Sequence, residues 1–232
     1  MPQVTDTLRC KVQCGGREVN PELGSRLPLV GEIFRYLSSS FGLTSVLNPK
    51  VAGLLKWGGD YAGAYFLTRG LFMPWELSMV MDKGVAEEGL RRLDPLRHIE
   101  AAIEPAPRRA FGKVASLESS LYMRNQLLRD TDWASMAHSL EVRVPLVDAQ
   151  LLSAVVPATI LMAHGDGKRM LAASPSRPLP SEIADRAKTG FGIPVQDWLQ
   201  RDQRLQAWRR VPQLANPRCP WARRWAYQSA AA

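Results

Sequence analysis

The stretch SMAHSLEVRVPLVD, Ser135 to Asp148, decides how this chain is read. Glu141 and Arg143 stand two residues apart among valines, just before Pro145. A proline ring disfavours helix at the residue before it, so 141–144 is expected to be extended. Side chains in an extended segment repeat every two residues. Glu141 and Arg143 then share one face, and Val142 and Val144 share the other, where they can pin the segment into a core. Arginine holds a carboxylate or phosphate through a fork of donors, and glutamate accepts or orients a proton. The plainer reading is a structural ion pair that anchors neighbouring helices.

On both sides of this segment the pattern is helical. Upstream, AFGKVASLESSLYMRNQLLRDTDWASMAHSLE is free of proline, and Val114, Leu117, Leu121 and Leu128 form a helical stripe. A long helix is expected there, broken near RDTD, with Asp132 capping the segment after the break. Downstream, Asp148 has the character of an N-cap for AQLLSAVVPATI. GKRMLAAS and LPSEIADR suggest short helices, the second capped by Ser181, and helix resumes after Pro194. Nearer the start, RLPLVGEIFRYLSSSFG has apolar residues at helical spacing. NPKVAGLLKW then opens with Asn48 as an N-cap and Pro49 at the first helical position. Gly58 and Gly59 break that helix, Asp60 caps the next, Gly70 closes it and Pro74 starts a third. Ala62, Gly63 and Ala64 are small enough to let another element approach closely. EPAPRR, 104–109, reads as a proline-rich joint. Only 141–144 reads as extended, and no strand–helix alternation of a parallel sheet is present.

The chain has 232 residues, 46% hydrophobic, with a formal net charge of +8. No apolar run reads as a membrane span, and the first residues lack the apolar stretch of a signal peptide; a cytoplasmic protein is expected. Three cysteines without a framework make no disulfide scaffold and no zinc site, so no metal is expected. The positive charge gathers late, in Arg201, Arg204, Arg209, Arg210, Arg218, Arg223 and Arg224, interleaved with Trp198, Trp208, Trp221 and Trp225. Arginine and aromatics together can bind nucleic acid by phosphate contact and stacking. With no nucleic-acid motif alongside, a solvated, partly frayed terminal helix is the preferred expectation, and nucleic acid is not an expected partner.

A second stretch with chemistry is RAKTGFGIPV. Lys188 supplies a mobile positive charge, while Gly190 and Gly192 let a backbone come close to an anion. The spacing is not that of a Walker loop. A surface lysine beside a flexible turn is the commoner meaning of such a stretch. His138 has no nucleophile signature nearby, so a packed or hydrogen-bonded histidine is expected there. His98 and His164 form no ligand cluster with it.

Taken together, LLRDTDWASMAHSLEVRVPLVD, then LPSEIADRAKTGFGIPVQDWL, and the earlier GGDYAGAYFLTRGLFMPWEL resemble the C-terminal half of glutamine-hydrolysing asparagine synthetases. The resemblance covers most of residues 48–200. It implies a reaction in which ATP and magnesium adenylate the side-chain carboxylate of aspartate and ammonia from glutamine attacks the acyl-adenylate. It implies that Lys188 contacts the phosphates and that Gly190, Gly192 and Arg143 line the pyrophosphate site. Glu141 is then a catalytic candidate, and Val142 and Val144 lie in the wall of the ammonia tunnel.

The departures from the family pattern are equally specific. Residue 2 is Pro2, where the family's glutaminase exposes a cysteine. The loops Ser-Gly-Gly-x-Asp-Ser and Ser-Gly-x-Gly-x-Asp-Glu do not occur; Cys14 to Asn20 and Trp57 to Gly63 share only the double glycine. The expected fold is therefore mainly α. It is the helical C-terminal part of an adenine-nucleotide α-hydrolase-like (PP-loop ATPase) synthetase domain, without most of its parallel sheet. An irregular arm over 1–24, a partial domain over 25–200 and a basic tail over 201–232 are expected. The chain alone is expected to bind ATP and magnesium poorly and to be inactive. Its expected partner is a chain carrying the missing half and glutaminase, or a second copy. The alternative is a non-catalytic interaction subunit or a gene remnant.

Overall fold

Pro49 opens the first helix of the described chain, α1 (Pro49–Trp57), because its fixed φ suits the first turn and its missing N–H is not needed there. The computed structural model describes residues 49–104, 107, 110–159, 166–187 and 192–231. Asn48, the apolar pattern before it and most of the EPAPRR joint lie outside them. Gly58 and Gly59 end α1. The Asp60 side chain then accepts a hydrogen bond from the Gly63 N–H at 2.7 Å and caps α2 (Tyr61–Arg69), which stops at Gly70. Gly63 is required by packing: a Cβ there would come within 2.1 Å of the Trp57 carbonyl oxygen. The small run Ala62–Gly63 thus does let α1 and α2 close on each other.

A short 3-10 helix, Pro74–Met79, comes next, then α3 (Lys83–Leu93) and α4 (Pro95–Ala101). The next pattern forms α5 (Ala110–Leu117), an eleven-residue π-helical stretch (Glu118–Leu128) and α6 (Arg129–Met136). The expected break near RDTD is corrected: the register widens before it, and Asp132 lies inside α6 instead of capping a new helix. Beyond come α7 (Ala149–Thr159), α8 (Asp166–Ala173), α9 (Ser181–Ala184) and α10 (Val195–Arg201). Pro180, not Ser181, occupies the cap position of α9. The chain ends in two 3-10 turns (Gln203–Leu205 and Ala207–Arg210), α11 (Pro212–Ala215) and α12 (Trp221–Ala231). The described residues hold helices and no strand, as the mainly α expectation required.

Two units emerge, one of residues 122–187 and one of 49–121 with 192–231. The second has a true interior. Trp57 stacks on Trp75 at 5.4 Å and meets Phe66 edge-on at 5.2 Å, beside buried Leu67 and Met73. Ala62, Tyr65, Ile99 and Leu117 form a neighbouring cluster. Val195, Leu199, Trp208, Val211 and Leu214 form a third, with Phe72 and Val80 packed against it. The expectation of a solvated, frayed terminal helix is corrected here. Trp208 and Leu214 are core residues, and their burial supplies about 1.5–3 kcal/mol each.

Polar contacts fasten that terminal segment. The buried Glu76 carboxylate accepts from the Met73 N–H and pairs with Arg223, 147 residues away. Arg224 donates to the Leu214 and Asn216 carbonyls at 2.9 and 2.8 Å and lies 4.5 Å from the Trp208 ring centre. The Gln228 amide accepts from the Ala207 N–H and donates to the Arg204 carbonyl. Removing one partner of a buried pair leaves the other charge uncompensated. Glu76→Ala is therefore expected to lower unfolding free energy by about 3–5 kcal/mol, read from the urea midpoint.

Candidate functional site

The 141–144 segment is aimed by the two helices that flank it. At the end of α6 the chain reverses through Ser139, whose φ of 57° is left-handed, and the Leu140 N–H bonds back to the Ser135 carbonyl at 3.0 Å. This is the turn geometry by which helices commonly stop. Past Pro145, the Val147 N–H closes a turn onto the Val144 carbonyl at 2.8 Å. Asp148 then caps α7 by accepting from the Leu151 N–H at 2.7 Å, as its sequence context predicts. Residues 141–144 form neither helix nor sheet.

Glu141 and Arg143 meet each other, Arg143 Nη2 lying 2.7 Å from Glu141 Oε1. That is the same-face geometry required of residues two apart. The expected anchoring into a core is corrected. Val142 is 50% and Val144 41% exposed, and both charged side chains are exposed as well. No sheet neighbour covers the segment among the described residues, so the valines have nothing to pack into. His138, expected to be packed or hydrogen-bonded, is exposed and so not packed.

Of the other candidate residues, Lys188 and Gly190 lie outside the described residues. Gly192 is described and exposed, and a Cβ at that position would meet nothing within 4 Å. It therefore forms no close cradle of its own. Glu141 and Arg143 are the pair of candidates that the structure brings together. Among the described residues no group of three or more His, Cys, Asp and Glu side chains is arranged to hold a metal. Arg143 is already engaged by Glu141. The described candidates, an exposed carboxylate and the arginine paired with it, are not a complete set of ligands for a magnesium–nucleotide complex. Nor does Cys219 offer a nucleophile: burial pushes its thiol above the ordinary cysteine range, which keeps it protonated at neutral pH.

What sequence reasoning missed is the state of the whole 122–187 unit. None of its described residues is buried. Trp133, Met136, Leu140, Leu146, Leu152 and Ile183 all stand exposed, and apolar surface left open in this amount favours association. A signal was present in the sequence: α7 is apolar nearly all round, the pattern of a helix covered on more than one side.

Similarity to known proteins gives these elements a family. The family model described as asparagine synthase matches residues 34–218, which include α1 to α11 and the 141–144 segment. The chain belongs to the asparagine synthase family. Curated relatives of this asparagine synthase-family chain match part of it at low identity. One is the glutamine-hydrolyzing asparagine synthetase 1 of Bacillus subtilis strain 168, 28% identical over 94 residues, 40% of this chain and 15% of that protein. Another is a putative glutamine-hydrolyzing asparagine synthetase of Mycobacterium bovis, 29% identical over 87 residues, 37% of this chain and 13% of that protein. The chain thus aligns with about one-seventh of the length of these relatives. No solved structure matches. No described helix is long and apolar enough to cross a membrane.

An exposed ion pair contributes little, because water competes for both charges. Glu141→Ala is expected to change unfolding free energy by less than about 1 kcal/mol in chemical denaturation. A larger loss would mean that the segment is covered in solution.

Proposed function

We propose that this chain contributes the helical part of an asparagine synthase site. The inherited reaction is ATP-dependent amidation of aspartate through an acyl-adenylate, in a cytoplasmic enzyme that takes its ammonia from glutamine. The family match over 34–218 carries the reading, because it takes in both the 141–144 segment and Lys188. In this reading Lys188 is the cation that meets the departing diphosphate, where fixed positive charge lowers the barrier most. Gly190 and Gly192 keep the backbone around it slim enough to approach. Glu141 holds Arg143 in place until an anion competes for it, and the valines face the ammonia path.

The remaining contacts come from outside these 232 residues, since neither acidic loop of the family occurs in them. Positioning supplies much of the rate in such a reaction, so the pure chain is expected to release no pyrophosphate from ATP, aspartate and ammonia. Sustained turnover by the chain alone overturns this reading. Mixed with a polypeptide carrying both loops, it is expected to gain activity. Lys188→Ala is then expected to lower kcat by about 100- to 1000-fold, the loss typical of one electrostatic donor.

The exposed face of 122–187 favours a second reading, a non-catalytic interaction subunit. Ordering a residue's backbone costs about 1–2 kcal/mol, and this unit has no buried side chain among its described residues to offset it. The apolar surface is therefore expected either to be covered by self-association or to stay open to apolar probes. Size-exclusion chromatography with light scattering should show self-association, or an apolar dye should bind strongly to the monomer. A monodisperse monomer that leaves the dye dark rules out an open apolar face.

A further inference from the structure

Residues 192–231 carry seven arginines against two aspartates, with no lysine and no glutamate. The fold sorts these arginines into two sets. Arg223 is spent on Glu76 and Arg224 on the carbonyls of Leu214 and Asn216, while Arg204 is paired with Asp202. Arg201, Arg210 and Arg218 are exposed and have no ion-pair partner among the described residues. Arg209 is exposed too and reaches only the Gln200 carbonyl and the Trp208 ring. The same unit leaves three indoles open. Trp198 is 48%, Trp221 43% and Trp225 39% exposed, although Trp208 beside them is buried.

The placement of these groups follows from helical geometry. Trp198 and Arg201 are three apart on α10, and Trp221 and Trp225 four apart on α12, so each pair shares a side of its helix. The two helices pack against each other, and Arg218 leads into α12 from the preceding turn. We propose that these exposed groups of one packed unit, Trp198, Arg201, Arg210, Arg218, Trp221 and Trp225, together bind single-stranded nucleic acid. The outward guanidinium groups take phosphates, and the open indoles stack on bases. Charge complementarity calls for a polyanion, and the planar aromatic faces call for one that carries rings.

An anionic membrane surface also attracts arginine and tryptophan, yet insertion needs an aliphatic face as well. Val195, Leu199, Val211 and Leu214 are all turned into the core, which leaves Ile193 as the exposed large aliphatic side chain of the segment. The sequence-based preference against nucleic acid rested on the absence of a nucleic-acid motif, and it pictured the charge on a solvated, partly frayed terminal helix. The segment is instead folded, which fixes the backbone from which its charged and aromatic groups project.

The test uses the full chain and a fluorescein-labelled thymidine oligonucleotide, followed by anisotropy and by tryptophan emission. Binding with quenched emission is expected, falling steeply with salt. Each phosphate contact contributes about 0.7 to the salt slope of a single strand, so Arg201→Ala, Arg210→Ala and Arg218→Ala combined should reduce it by about 2. Trp225→Ala should weaken binding about tenfold at unchanged salt slope, with Trp225→Phe restoring most of it. Far-UV circular dichroism of each variant establishes that α12 persists. No binding at low salt overturns the proposal. So does binding without quenching that the triple arginine variant leaves intact, or tighter binding to phosphatidylglycerol vesicles than to the oligonucleotide.

Discussion

Glu76 is a carboxylate taken almost entirely out of water, and that fact organises the better-packed unit. A buried charge is tolerated only when it is paired and hydrogen-bonded. Here the Met73 N–H and the Arg223 guanidinium supply both requirements. The consequence reaches well beyond one contact. Because its partner lies on α12, the short helix after Pro74 and the last helix of the chain must come together. Arg224, one residue on, then reaches the Leu214 and Asn216 carbonyls, and Gln228 holds the 3-10 turns. The third core cluster forms inside this frame. Coulombic attraction draws the segments together, and apolar burial supplies most of the free energy that keeps them there.

The 122–187 unit has no such anchor. Asp148 caps α7 and a left-handed Ser139 turns the chain after α6, yet the apolar side chains of the unit are exposed. Local capping satisfies backbone groups but buries little carbon, and helices of this length are marginal without a packed face. Membership in the asparagine synthase family gives that face a meaning. Helices that leave so many apolar side chains open are suited to lie against something else, and the 141–144 segment joins two of them.

Partition of the arginines shows how one sequence feature serves two physical ends. Arg223 and Arg224 are adjacent in the chain and both are structural, one held by a carboxylate and the other by carbonyls and an indole. Arg201, Arg210 and Arg218 have the same composition around them but point to solvent. Nothing in a run of basic residues separates the two sets. The separation is one of burial: Arg224 and Gln228 are enclosed, whereas Trp221 and Trp225, on the same side of α12, stay half-open at the edge of the packed region.

Chemistry confined to a few neighbouring residues was legible in the sequence. Pro49, Asp60, Gly70, Pro74 and Asp148 act over one helical turn, so their residue types alone located the helix ends. The small run at Ala62–Gly63 announced a close approach, and the absence of alternating strand patterns announced a helical fold. The family motifs were legible for the same reason, being contiguous. Everything that required distant residues to meet was not. The Glu76–Arg223 pair spans most of the chain, and the exposure of Val142 and Val144 depends on whether another element covers them. Sequence sets local backbone preferences, worth about 1 kcal/mol at each cap. Tertiary contact decides which charges are buried and which apolar faces are covered, because desolvation depends on everything that surrounds a group.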